Sequence, residues 1–258
     1  MTSHAWYHTI DLPDGTTTEG WSDTRNAATH VRWPETIAGG RCLDVGTFDG
    51  FWAFEMERHG AREVLGLDID DPDDVDWPYD TRASGPVHLR ARGSLMGRGF
   101  EEAKLKLGSS ATRICLSVYN LDPAVHGRFD VVNCGALILH LAHPVLALER
   151  MREVCSGELV LIESLDPVLE IAARRTPAAR FAPEPDKWWR ANTAGLLAMV
   201  DRAGFDVTWL SPRFLVPHGP GWKGRQAGLL NSVAARRLGS RGGLHRALRA
   251  RPRLPRGT

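Results

Sequence analysis

Short apolar, β-branched runs alternate along the chain with longer stretches whose apolar residues recur every three or four positions, a pattern that predicts a layered α/β fold. The first run is Arg41–Val45, set behind the turn pair Gly39-Gly40. After a loop at 46–49, Phe51, Phe54 and Met56 recur near helical spacing in a segment spanning 50–59, with Gly60 as its stop. Further strands are predicted at Glu63–Asp68, 113–118, 129–134, 159–163 and 206–210, with a weaker seventh at 227–234. Between them fall predicted helices at 100–107, ended by Gly108, at 144–155, opened by Pro144, and at 194–203, capped by Asn192 or Thr193. The expected fold is a Rossmann-like, seven-stranded, mostly parallel sheet with helices on both faces. Residues 1–35 read as an N-terminal arm or lid and 36–210 as the core, with an insertion around 164–192. Residues 211–258 read as an extension that completes the sheet and then becomes a tail.

At 258 residues and 43% hydrophobic, the chain can build a core without a disulfide or metal staple. No apolar run approaches the roughly 18 residues that a membrane span needs. The first 30 residues carry Asp11, Asp14, Glu19 and Asp23, unlike a secretory signal. The four cysteines, Cys42, Cys115, Cys134 and Cys155, form no CxxC and lie in or beside strands, where buried small hydrophobes fit better than nucleophiles. These features predict a soluble, cytoplasmic protein. The net charge of +1 hides an asymmetry: from Ser211 onward there are ten Arg, one Lys and no acid. A solvated or docked tail is expected, with RNA contact as the alternative.

The most informative stretch is Leu43-Asp44-Val45-Gly46-Thr47-Phe48-Asp49-Gly50. A dinucleotide loop would read GxGxxG, with a pyrophosphate seated on bare backbone at a helix N-terminus. Phe48 occupies the place of the second glycine. The loop therefore suits a ligand without phosphates, such as a nucleoside joined to an amino acid, and disfavours NAD. The second strand ends in Asp68, 18 residues after Gly50, where a carboxylate can accept both hydroxyls of a ribose.

On these residues the sequence resembles the class I S-adenosylmethionine-dependent methyltransferases. Asp44, Gly46 and Gly50 match their first motif, and Asp68 matches their ribose acid. Ser117-Val118-Tyr119-Asn120-Leu121 stands where they contact adenine, and Phe129-Asp130-Val131-Val132 with Asn133–Leu141 looks like their fourth-strand motif. The subgroup of closest resemblance contains the tRNA wobble-uridine carboxymethyltransferases. The resemblance implies S-adenosyl-L-methionine as cofactor, held by Asp44, Gly46, Thr47, Asp49 (toward its amino group), Gly50, Asp68, Ser117, Val118, Tyr119 and Asn133. In the carboxymethyl-transferring relatives a tyrosine precedes the strand-four histidine; here that residue is Leu139, which cannot pair a buried carboxylate. The unmodified cofactor is therefore expected, and the tRNA substrate is not carried across.

His140 is the first candidate base, because imidazole titrates near neutrality; a hydrogen-bonded structural histidine is the alternative. Glu163 is a second candidate, as base or orienting carboxylate, against a strand-end salt bridge. His143, before Pro144, reads as a loop residue. The arm residues Tyr7 and His8 are candidates for lining an acceptor pocket or, equally, for packing. Two adjacent tryptophans on an extended segment point oppositely, so Trp188 or Trp189 should face the pocket or solvent, with Arg190 available for an anionic group. The Asp68–Asp76 cluster lacks the glycine and glutamate of a calcium loop and reads as solvated, so no metal is expected. Three functions compete: methylation of an O or N of a small-molecule acceptor, expected first; an RNA methyltransferase or carboxymethyltransferase; and a cofactor-binding protein without catalysis.

Overall fold

The computed structural model describes residues 6–84, 97–222 and 242–253. The predicted strand at 227–234 lies outside the described residues.

The strands are β1 Arg41–Val45, β2 Glu63–Asp68, β3 Thr112–Cys115, β4 Phe129–Gly135, β5 Cys155–Ser164, β6 Ala179–Phe181, β7 Trp189–Ala191, β8 Phe205–Leu210, β9 Phe214–Val216 and β10 Gly243–Pro252. The helices are α1 Arg25–Ala28, α2 Phe51–Arg58, α3 Tyr79–Ser84, α4 Arg98–Leu107, α5 Pro123–His126, α6 Pro144–Val154, α7 Pro167–Ala172 and α8 Thr193–Arg202. The main sheet runs β3-β2-β1-β4-β5-β10-β8, with β9 also paired to β10. Pairings from β3 through β5 are parallel, and β10 is antiparallel to its neighbours. The sheet has eight strands rather than the expected seven, because β8 and β9 share one edge of β10. Leu210 pairs with Leu248 and Phe214 with His245. Pro212, which has no N–H to give a ladder, falls in the break between them.

Alternation along each central strand feeds two cores. Leu43 and Val45 of β1 pack with Leu67, Val132, Leu148 and Met151 on one face. Cys42 packs with Phe51, Met56, Val64, Phe100 and Val131 on the other. Cys42, Cys134 and Cys155 are buried as expected, but Cys115 is exposed, since β3 is the sheet's outer strand. Helix ends follow their local chemistry: Gly108 closes α4 at φ 65°, and the Asn192 side chain accepts from the Gly195 N–H at 2.7 Å to start α8.

Past the strand predicted at 227–234, the part of the C-terminal extension read as a tail supplies β10, a strand inside the sheet between β5 and β8. Arg249 and Arg251 both bind the buried carboxylate of Glu158, and Arg253 binds Asp201 and Asp206. Three of the charges that looked surplus in the sequence are thus paired with acids from β5, α8 and β8. Among the described residues, no helix is long and apolar enough to cross a membrane.

Candidate active site

In a parallel sheet of this kind, side chains beyond the carboxyl ends of the strands share one crevice. Here β1 delivers Asp44 and the 46–50 loop, β2 delivers Asp68, and β4 delivers Asn133 and the turn leading to His140. Gly46 and Gly50 sit at φ 74° and 88°, which glycine adopts without penalty. A Cβ on Gly50 would stand 2.6 Å from the Phe54 ring, so that position excludes any side chain. Phe48 also takes a positive φ, 46°, where a non-glycine residue is strained. Its N–H donates to Asp68 Oδ2 at 2.8 Å, and the Ile69 N–H donates to Oδ1 at 2.8 Å. The loop and the second-strand acid are therefore one unit. Desolvation raises the Asp68 pKa despite the Phe48 N–H.

Beneath the loop, the Asn133 amide donates to Asp44 Oδ1 at 2.8 Å. Burial raises the Asp44 pKa to about 6. Asp44 Oδ2 and Asn133 Oδ1 are buried without hydrogen-bond partners. Gly66 of β2 makes room for Thr47, whose side chain would lie 2.9 Å from any Cβ there. Unsatisfied acceptors in one place call for a donor-rich, positively charged group.

Asp49, expected toward the cofactor's amino group, also holds the arm. Its Oδ2 accepts the backbone N–H of Tyr7 at 2.5 Å and of His8 at 3.0 Å, fastening the arm to the loop. The Tyr7 ring meets Phe48 edge-on at 5.5 Å. His8 is buried against Phe51, and desolvation lowers its pKa to about 3. Both arm residues thus adjoin the 46–50 loop.

On the third-strand side, the chain leaves β3 at Cys115, earlier than predicted, because Val118–Asn120 coils into a 3-10 turn preceded by Ser117. Tyr119 Oη donates to Asp76 Oδ2 at 2.5 Å and accepts the His143 N–H at 3.1 Å, while the Ala142 N–H donates to the same Asp76 oxygen at 2.9 Å. Asp76, read from sequence as one of a solvated cluster, ties the 117–120 turn to the segment after β4. Asp70 pairs with Arg113 at 2.6 Å, and Asp71 caps its own turn.

The turn Ile138–His140 follows β4. His140 Nδ1 lies 2.5 Å from the Asp186 carbonyl oxygen. A carbonyl only accepts, so Nδ1 carries the proton and Nε2 keeps its lone pair. Burial lowers the His140 pKa, which leaves the ring neutral at pH 7. Glu163 is buried; its Oε1 accepts the Ser164 N–H at 2.7 Å, and Oε2 has no partner. Desolvation raises its pKa to about 7, opposed by the N–H groups of Ser164, Leu139 and Ile138. The carboxyl thus abuts the turn that carries His140, the orienting alternative for this residue, and no strand-end salt bridge is found for it among the described residues.

The insertion closes this side. The Trp188 indole donates to the Asp76 carbonyl at 2.6 Å and the Trp189 indole to the Leu141 carbonyl at 3.0 Å. Neither indole N–H is left facing solvent; Trp189 also stacks on Phe181 at 4.7 Å. Arg190 is not available for an anion, because Glu184 pairs with it. Asp76, Asp186 and Gly66 have no motif signal of their own; each is recruited through contacts that only the fold creates.

No protein-family model matches the chain. Among curated proteins, the tRNA U34 carboxymethyltransferase of Helicobacter pylori strain Shi470 is 25% identical over 166 residues, 63% of this chain and 55% of that protein. The match to strain G27 is 24% identical over the same length. The matched stretch spans about half the length of these relatives. Among solved structures, the N-terminal domain of EvdMO1 in the presence of SAH and D-fucose superposes with a TM-score of 0.53 at 19% identity, covering 96% of this chain and 91% of that one. A Listeria monocytogenes protein described as an S-adenosylmethionine dependent methyltransferase gives 0.53 at 13% identity, covering 90% and 98%. The fold is that of the class I S-adenosylmethionine-dependent methyltransferases.

Proposed function

We propose that this chain is an S-adenosylmethionine-dependent methyltransferase acting on an O or N of a small-molecule acceptor. The observation that carries the reading is the joined loop and acid. Phe48 N–H on Asp68, with unsatisfied Asp44 Oδ2 and Asn133 Oδ1 beneath, offers acceptors to a ribose at one end and to an ammonium at the other. A pyrophosphate would meet Phe48 and two carboxylates instead. When bound, S-adenosylmethionine supplies a methyl group activated by a sulfonium, so the chain's task is alignment and proton removal. Asp44, Thr47 and Asn133 would hold the amino-acid portion, Asp68 the ribose, and Ser117 with the Val118–Tyr119 backbone the adenine.

His140 is the proposed base. Asp186 fixes its tautomer, Nε2 is left to take the acceptor's proton, and its lowered pKa keeps it unprotonated at pH 7. Glu163 is proposed to position the Ile138–His140 turn. Tyr7 and His8, fastened by Asp49, form one wall of the crevice and keep water from it. Trp188 and Trp189 form another.

A second reading, an RNA methyltransferase or carboxymethyltransferase, draws support from the curated relatives. Leu139 in place of a tyrosine and the internal pairing of Arg249, Arg251 and Arg253 weigh against it.

The test is a turnover screen with labelled S-adenosylmethionine over small-molecule acceptors and transcribed tRNA. Transfer to small molecules is expected, and His140→Ala should retain cofactor binding while losing about 100-fold or more in rate. Transfer to tRNA alone would replace this reading with the second.

A further inference from the structure

Three arginines sit on β10 and a fourth, Arg253, directly follows it; three of the four are paired with acids, Arg249 and Arg251 with Glu158 and Arg253 with Asp201 and Asp206. Arg246 is the exception. Its Nε donates to the Ser211 carbonyl at 2.7 Å and its Nη1 to Thr193 Oγ1 at 3.3 Å, both neutral acceptors. Arg213 lies close enough to repel it, and burial together with that repulsion lowers the Arg246 pKa. One carboxylate, Glu170, serves this neighbourhood; it pairs with Arg213 and also accepts the Thr193 N–H. Two guanidiniums thus share one acid in a half-buried place, which leaves an excess positive charge that water screens only partly.

Position gives this excess a use. Arg246 stands opposite Glu163 in the β5–β10 ladder, at the carboxyl edge of the sheet, where the His140 turn and the insertion also lie. We propose that Arg246, with Arg213 beside it, binds an oxyanion group, carboxylate or phosphate, carried by a small acceptor. The planar fork of guanidinium donors suits either group. The inference rests on the methyltransferase reading only in calling the ligand an acceptor. Two arginines beside one acid make a single-anion site rather than a stripe along a polynucleotide.

The experiment measures the melting temperature of the full-length protein against inorganic phosphate and, separately, sodium acetate, with ionic strength held constant by chloride. A saturable upward shift is expected with at least one anion, and which anion saturates at lower concentration identifies the group. Arg246→Gln should weaken that response about tenfold or more, Arg246→Lys less, and Arg213→Gln to an intermediate degree. If Arg246→Gln does not fold, Arg213→Gln and Arg246→Lys carry the test. The S-adenosylmethionine shift should persist in every folded variant. Identical anion responses in wild type and variants, or a response no different from chloride, would overturn the proposal. An anion response without any S-adenosylmethionine shift would instead overturn the methyltransferase reading. Binding of a uridine oligonucleotide with steep salt dependence, unaffected by Arg246→Gln, would place RNA elsewhere on the protein and remove the support for a small anionic acceptor.

Discussion

Glu163 sits under a backbone turn with one oxygen unpaired, and its raised pKa fixes a sign for the pH dependence of stability. Its folded-state value, about 7, exceeds the ordinary 4.5, so the folded state holds the proton more tightly than the unfolded chain does. That contribution is fully present below about pH 4.5 and is lost as pH rises through 7. Glu163→Gln removes the titration. Relative to wild type, the variant should gain stability from pH 4.5 to 8 by on the order of 3 kcal/mol, read from urea midpoints at a series of pH values. Parallel curves would contradict the burial argument. At this scale the loop glycines, Asp68 and His140 were legible because their signal is local: a motif, a strand end, a residue following a strand. The occupations of Asp49 and Arg190 were not. Asp49 meets backbone 41 and 42 positions away, and Arg190 finds Glu184 across an irregular insertion. Neither partner carries a pattern that a linear reading can register.

Among the elements, the arm and the C-terminal strand diverge most from their appearance in sequence. The arm adheres through the buried Asp49 carboxylate, which satisfies two N–H groups that would otherwise be orphaned. Asp49→Ala should cost about 2–4 kcal/mol, and limited proteolysis should then cut the chain ahead of Thr9 much faster than in wild type. Unchanged protection would show that aromatic packing of Tyr7 and His8 holds the arm without the carboxylate. β1 and β2 appear where their apolar runs predict, since central parallel strands are buried on both faces and read as continuous hydrophobic stretches. β10 was hidden because Arg246, Arg249 and Arg251 interrupt its apolar positions. Its place in the sheet depends on acids supplied by other elements.

For the molecule as a whole, the Glu158 clip joins the parallel half of the sheet to its antiparallel closing strand. Glu158→Ala leaves the mostly buried Arg249 unpaired, and a loss of about 2 kcal/mol is expected in urea unfolding at pH 7, discounted because Arg251 is largely exposed. No loss would mean that strand pairing alone secures β10. With β10 in place, the sheet order puts β1, β2 and β4 side by side at the center, and their carboxyl ends converge on one crevice. This crevice is proposed to bind S-adenosylmethionine through the 46–50 loop and Asp68. Calorimetric titration of that compound into the wild-type protein and into Asp68→Ala tests it most directly. Saturable one-to-one binding by wild type is expected, weakened about 30-fold or more in the variant as two hydroxyl contacts to a charged acceptor are lost. No heat of binding in wild type, or equal affinity in both proteins, would contradict it.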